Sequence, residues 1–195
     1  MKSKSIKKFV AIGMFGSISY ILMLLNFPFP GFPTFLNVDF SDIPALIAAI
    51  IFGPLAGVTV ELLKNVLDYA MTGSEVGLPI GHAANFVAGI AFVLPAYFVY
   101  KKFTTKTGLL FGLVTATVAM AIIMAVMNYF VFLPAYTAFG GWSAMSTGEA
   151  IKFVTAAILP FNIIKGVLIT GVFILLFGKL KVWIEKVTPT TLERA

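Results

Sequence analysis

Long apolar runs alternate with short polar or proline-rich stretches along the whole chain. The runs predict six helices, over about 6–25, 42–52, 55–72, 79–100, 107–132 and 150–180. About 20 apolar residues suffice for a helix to cross the hydrocarbon core of a bilayer. The second helix is short, because Gly53 and Pro54 interrupt the pattern in a tight turn. We therefore predict an all-α integral membrane protein with six transmembrane helices, folded as one domain over residues 1–195 with a polar tail at about 186–195.

Composition and charge place the chain in the membrane class. Hydrophobic residues make up 59% of the 195 residues and charged residues 11%, less than half the charged share of ordinary soluble domains. The net charge of +6 comes from lysines near the N-terminus, at 101–106 and after the last helix. Such juxtamembrane clusters mark cytoplasmic ends, so we expect N-in, C-in topology and no nucleic-acid partner. Without cysteines the chain has no disulfide and no thiolate metal site.

The stretch LNFPFPGFPTFLNVDFSDIPA (residues 25–45) separates the first two helices. Its four prolines fix φ and remove hydrogen-bond donors, so it cannot form a regular helix. The charge-based topology places this loop outside the cell. We interpret it as a stiff aromatic lid, with Asp39 and Asp42 as acceptors and Ser41 as the N-cap of the second helix.

Strongly polar residues occur inside four of the predicted helices. They are Glu61, Lys64, Asn65, Asp68, His82, Asn85, Asn128, Asn162 and Lys165. At 1.5 Å per residue, each lies near the midplane or in the outer half of the membrane. Buried polar groups in membrane helices are costly and usually face a cavity or a partner. The distribution predicts a pocket that opens to the outside and is closed below.

Some of these polar residues also have a structural interpretation, whereas a functional role is favoured for Lys165. The stripe from Glu61 to Asp68 fits helix-face ion pairs as well as it fits a binding site. Lys165 needs a partner that its own helix does not supply, and Glu61, at a similar depth, is the expected one. His82 is the only histidine and is expected to be a satisfied interfacial residue, so we predict no metal site.

Enzyme signatures are missing from the sequence. There is no Walker A loop, no HExxH and no GxSxG motif. A membrane enzyme acting on lipid or isoprenoid would need acidic or histidine clusters on the cytoplasmic side. An autonomous secondary transporter would need polar groups across the inner half. Neither pattern is present, so we expect a binding subunit rather than an enzyme.

Four segments carry a family resemblance over nearly the whole chain. They are the stretch from residue 25 to residue 69, GHAANFVAG, MNYFVFLPAY and ILPFNIIKG. They resemble the riboflavin-specific substrate-binding subunits of bacterial energy-coupling-factor (ECF) vitamin transporters. The resemblance implies a multi-pass protein of the bacterial cell membrane that captures riboflavin with high affinity from outside. It also implies a transmembrane coupling subunit and two cytoplasmic ATPase subunits as partners. Riboflavin would be the transported substrate and not a cofactor. A phosphorylated flavin such as FMN, or another vitamin, remains an alternative.

The resemblance also suggests which residues contact the substrate. Asn128 and Lys165 match the motifs best. Further candidates are Asn162, Asn85, Asp39, Phe40 and Glu61. An asparagine amide complements the uracil-like edge of a flavin with donors and an acceptor, whereas a lysine only donates.

Gly13 and Ser17 form a small-xxx-small pair on the first helix. Such a pair lets another helix approach closely. The resemblance implies docking of the coupling subunit there, and internal packing is the alternative.

Overall fold

The predicted helices are present, with changes at their ends. The computed structural model describes residues 2–74 and 76–187, with side chains over 6–74 and 76–180, so Glu75 and the predicted polar tail from residue 188 onward lie outside the described residues. The helices are α1 Lys2–Leu24, α2 Asp42–Phe52, α3 Pro54–Thr72, α4 Ile80–Lys102, α5 Lys106–Met127, α6 Leu133–Phe139, α7 Thr147–Phe153 and α8 Leu159–Val187.

Four helical stretches in the described part of the chain are long and apolar enough to cross a membrane. They cover residues 6–24, 80–102, 106–139 and 147–180. Helix α2 has 11 residues and rises only about 16 Å, roughly half the thickness of the hydrocarbon core. Helix α3 has 19 residues but carries Glu61, Lys64 and Asp68. The helical membrane class is therefore confirmed, while six crossings stay a prediction.

The last two predicted helices are longer than expected and contain π-helical turns. A π turn at Asn128–Phe132 joins α5 to α6, and another at Val154–Ile158 joins α7 to α8. The predicted end at residue 132 was wrong, because Pro134 sits in the first turn of α6, where a missing N–H is tolerated. The predicted start at about residue 150 was also late, because Ser146 and Glu149 form a capping box before α7. The connection shrinks to residues 140–146.

The proline-rich loop has its own small structure and ends inside the bundle. Phe27–Pro28 (β1) pairs antiparallel with Asn37–Val38 (β2). Val38 and Asp39 are buried. Ser41 occupies the predicted N-cap position of α2, but its side chain makes no cap hydrogen bond with the helix. The Ser41 hydroxyl donates to the Asp39 carboxylate instead.

Helix α2 forms the centre of the packed bundle. Every residue from Asp42 to Ile51 is buried. Gly53 then turns the chain into α3 at φ +96°, a conformation that favours glycine, and Pro54 begins the new helix. This turn lays α3 back along α2. The polar residues of α3 thereby face the end of the loop and the start of α4.

Candidate ligand-binding site

A cavity of about 400 Å³ lies where the proline-rich loop meets α3, α4, α5 and α8. This volume falls in the usual range for small-molecule sites, about 300–1,000 Å³. Its polar lining consists of Asn26, Asn37, Asp39, Asp68, Thr72, Ser74, His82, Asn85, Asn128, Asn162 and Lys165. The cavity thus gathers side chains that are far apart in sequence.

An ion pair between Lys165 and Asp39 forms part of the cavity wall. The Lys165 Nζ lies 3.0 Å from Asp39 Oδ2, and both side chains are almost fully buried. The predicted pairing of Lys165 with Glu61 was wrong. The loop carries Asp39 down to Lys165, while Glu61 pairs at 2.7 Å with Lys64, one turn further along α3.

The charge of Asp39 is strongly stabilised in this loop. Burial alone would raise the pKa of Asp39. The positive charges of Lys165 and Lys64, with hydrogen bonds from Ser41, outweigh burial and hold the pKa well below its ordinary value. Asp39 is therefore an anion at neutral pH. Its negative charge balances the positive charge that Lys165 presents to the cavity.

Two buried asparagines present amide groups to the cavity, Asn128 from the first π turn and Asn162 from the start of α8, just after the second. Asn128 Nδ2 donates to the Met124 carbonyl, and Asn162 Nδ2 donates to the Ile158 carbonyl, each at 2.8 Å. Among the described residues, each amide keeps one N–H and its oxygen unpartnered. Asn128 begins one π turn and Ile158 ends the other, so the widened turns set the position of both amides.

Asn85 brings a third amide from α4. Its Nδ2 lies 3.5 Å from Asp39 Oδ2, the oxygen that faces Lys165. Its Oδ1 is buried and has no hydrogen-bond partner within the described part of the protein. A buried acceptor without a partner is costly unless a ligand or water completes it.

Asp68 and His82 lie on another part of the lining. Asp68 Oδ2 is 3.0 Å from His82 Nε2, and the Tyr69 ring meets the imidazole edge-on. The other ring nitrogen, His82 Nδ1, is buried and has no partner among the described residues. The sequence offered a structural explanation for both residues, but the structure places both on the cavity.

Aromatic rings form one side of the cavity. Phe35, Tyr136 and Phe161 belong to the lining. Behind them, Trp142 stacks on Tyr136 at 4.7 Å and meets Phe35 edge-on at 5.0 Å. Flat apolar faces beside convergent amides suit a planar heterocycle. The sequence left Phe35 and Tyr136 open between a membrane-interface belt and a cover for a flat ligand, because 14% of the chain is aromatic, and it did not single out Phe161.

Three residues expected at the site do not line the cavity. Glu61 is fully buried, and its carboxylate packs on Gly89 of α4. Phe40 is half-buried and packs against the central apolar core. Asp42, expected as an acceptor in the lid, is buried and pairs with Lys64. The structure therefore assigns these three residues to the interior behind the cavity.

Gly13 and Ser17 lie on the surface of α1, away from the cavity. A side-chain carbon at Gly13 would meet no atom of the described residues within 4 Å, and the Ser17 hydroxyl donates to the Gly13 carbonyl at 3.1 Å. The close internal contact of this helix is at Gly16 instead, where an added side-chain carbon would lie 3.1 Å from Leu63. Both small residues are thus exposed on the bundle surface.

The fold and the site together define a membrane protein with a cavity, part polar and part aromatic in its lining, of a size for a small molecule. The chain matches a family described as "ECF transporter, substrate-specific component" over residues 7–177, and it belongs to that family. Members of this family are the substrate-binding components of transporters and not enzymes.

Similar proteins agree with this assignment. "Riboflavin transporter FmnP" of Bacillus subtilis (strain 168) is 52% identical over 93% of this chain and 95% of its own. "Riboflavin transporter RibU" of Staphylococcus aureus (strain TCH60) is 39% identical over 93% and 94%. A solved structure described as the S component of a bacterial ECF transporter superposes with a TM-score of 0.79 at 39% identity. It covers 92% of this chain and 98% of the other.

Proposed function

We propose that this protein is the riboflavin-binding subunit of an ECF-type transporter. The observation that carries the proposal is the cavity itself, in which Lys165 and the amides of Asn128 and Asn162 face an aromatic wall. A flavin has a flat ring system, a uracil-like edge and a chain of hydroxyls. The relatives named as riboflavin transporters, two of them 39% and 52% identical to this chain, support the same ligand.

The amides and the lysine complement the polar edge of a flavin. Each asparagine can donate to a ring carbonyl and accept from the ring N–H, and the Lys165 ammonium can donate to a carbonyl or a hydroxyl. The unpartnered acceptor of Asn85 suits a hydroxyl or N–H of the ligand. The rings of Phe35, Tyr136 and Phe161 cover the apolar faces.

The charge of the lining favours neutral riboflavin over a phosphorylated flavin. Lys165 is already paired with Asp39, and Asp68 adds a second carboxylate to the lining. Lys165 is the only lysine or arginine among the described residues that line the cavity. A dianionic phosphate would therefore meet more negative than positive charge.

Six membrane crossings with both termini inside would place the cavity toward the outside of the bacterial cell membrane. The lysines near both chain ends and at 101–106 support this orientation. The sequence has no nucleotide-binding motif, so ATP would be hydrolysed by two cytoplasmic partner subunits. The coupling subunit would dock on α1 at Gly13 and Ser17. This helix has the least buried apolar stretch of the four, 17% against 28–44%.

Titration of the purified protein tests the proposal. Riboflavin fluorescence should be quenched with tight, saturable binding, and FMN should bind more weakly. Lys165→Met should weaken riboflavin binding by about 100-fold, because it removes a donor and leaves Asp39 without its buried partner. Lys179→Met, at an exposed lysine of the same helix, is the matched control and should bind like wild type.

Two results would contradict the proposal. Absence of quenching at micromolar riboflavin in folded wild-type protein would exclude riboflavin as the substrate. FMN binding as tightly as riboflavin would instead favour a phosphorylated flavin.

A further inference from the structure

A second group of buried charges lies directly behind the Lys165–Asp39 pair. Lys64 is fully buried, lies 2.7 Å from Glu61 and also pairs with Asp42. Its ammonium donates a hydrogen bond of 2.7 Å to the Ser41 hydroxyl. None of these four residues lines the cavity. The group therefore cannot act on a ligand by direct contact.

Ser41 connects this group to the cavity. Both its hydroxyl and its backbone N–H donate to one oxygen of Asp39, Oδ1, the N–H at 2.9 Å. The other oxygen, Oδ2, faces Lys165 at 3.0 Å and Asn85 at 3.5 Å. The two carboxylate oxygens thus have different partners: Oδ1 accepts hydrogen bonds from Ser41, and Oδ2 faces Lys165 and Asn85 on the cavity wall.

We propose that Ser41 and Lys64 are positioning residues for ligand binding. Lys64 orients the Ser41 hydroxyl, and Ser41 orients Asp39 so that Oδ2 holds the Lys165 ammonium in its place on the cavity wall. The backbone carbonyl of Ser41 accepts a hydrogen bond of 2.7 Å from Ser19 of α1, which fixes the serine from a third side. The effect on affinity rests on the proposed flavin-binding function.

The alternative is a purely structural role for the same contacts. The Lys64–Asp42 ion pair fastens the start of α2 to α3, while the Lys64–Glu61 pair lies within α3. Neither contact requires Ser41 to touch Asp39. A structural role predicts that removing the Ser41 hydroxyl lowers thermal stability without changing the flavin dissociation constant. A positioning role predicts weaker binding in a protein that remains folded.

Ser41→Ala tests the proposal, because it removes the link and leaves both ion pairs of Lys64 in place. We expect riboflavin binding to weaken by about tenfold, the effect of losing one hydrogen bond to a charged group. Ser41→Thr retains the hydroxyl and should restore most of the affinity. Thr170→Val is the matched control, because Thr170 Oγ1 is buried without a hydrogen-bond partner in the described structure.

A double-mutant cycle identifies the path of the effect. If Ser41 acts through Asp39, then adding Ser41→Ala to Asp39→Asn should weaken binding far less than it does in the wild type. Additive losses, or a Ser41→Ala protein with wild-type affinity, would overturn the proposal. Loss of affinity in Thr170→Val equal to that of Ser41→Ala would overturn it as well.

Hydrogen exchange tests the same contacts without any flavin. The backbone N–H at position 41 is bonded to Asp39 Oδ1, so its protection reports the position of the carboxylate. Ser41→Ala should speed exchange at this amide in the ligand-free protein, whereas Thr170→Val should not. Unchanged exchange would contradict the positioning role. A wild-type protein that bound no riboflavin would contradict the proposed function and leave this arm of the test standing.

Discussion

The two ends of the helical bundle are built on opposite principles. At the cavity end, amides of Asn85, Asn128 and Asn162 keep hydrogen-bonding groups without partners among the described residues. At the other end, glycines let helices meet closely, so that a side-chain carbon at Gly57 would lie 2.8 Å from Ala49. Unpartnered buried polar groups destabilise a fold, and close apolar packing stabilises it. The comparison suggests that the packed end supports the polar end, which is kept for the ligand.

The largest expected effect comes from disturbing the packed end. Gly57→Val would place new atoms against Ala49, Val93 at 2.9 Å and the Ala45 carbonyl at 3.0 Å. Overpacking of this kind typically costs about 1–3 kcal/mol, and here three helices would have to move apart. We expect a clear loss of thermal stability in detergent and a low yield of folded protein.

Gly171→Val is the control for that substitution. Gly171 lies exposed on α8, and a side-chain carbon there would meet no atom of the described part of the chain within 4 Å. The two variants share the same change in helix propensity, so their difference isolates packing. Equal melting temperatures would show that the packed end does not support the fold.

The same contrast explains what could be predicted from the sequence. Helix α2 was predicted at 42–52 and is found at Asp42–Phe52, because Gly53 and Pro54 end it through local backbone chemistry. The extension of α5 through Pro134 was missed, because a π turn admits the proline and periodicity does not reveal such turns. Local rules therefore describe the apolar, regular parts of the chain well.

The polar end was predicted less completely, because its ion pairs and hydrogen bonds join residues that are far apart in the sequence. Lys165, Asn128, Asn162, Asn85 and Asp39 were all candidates, and the structure brings them together on one cavity. The partner of Lys165 was wrong, because depth along ideal helices cannot show that a loop carries Asp39 into the bundle from 126 residues away. The aromatic wall was left undecided for a related reason, since nothing in the sequence separates lining rings from membrane-facing rings.

A smaller effect, confined to binding, is expected from single amides at the cavity end. Asn128→Ala should weaken riboflavin binding by about tenfold, because the ligand loses a donor and an acceptor that only this side chain supplies there. Asn65→Ala is a close control. Asn65 is also a buried asparagine that donates to the carbonyl four residues before it, that of Glu61 at 2.8 Å, but it does not line the cavity.

Fluorescence titration of both variants measures the difference between the two amides. Asn65→Ala should keep the wild-type dissociation constant even where its melting temperature falls. If both variants bound riboflavin equally weakly, loss of a buried amide would be acting through the fold, and the distinction between binding and packing amides would fail.

The smallest effect on binding is expected at the exposed face of α1, which belongs to neither end. Gly13→Trp should leave the riboflavin dissociation constant unchanged, since a side-chain carbon at Gly13 would meet no atom of the described residues within 4 Å and the cavity lies elsewhere. The same variant should abolish riboflavin uptake in cells that contain the complete transporter, because a large ring would keep a partner helix from approaching. Val118→Trp adds the same ring to an exposed position of α5 and should support normal uptake. Uptake by Gly13→Trp at the wild-type rate would mean that the coupling subunit docks on another face, and equal losses in both variants would point to a general defect in membrane insertion.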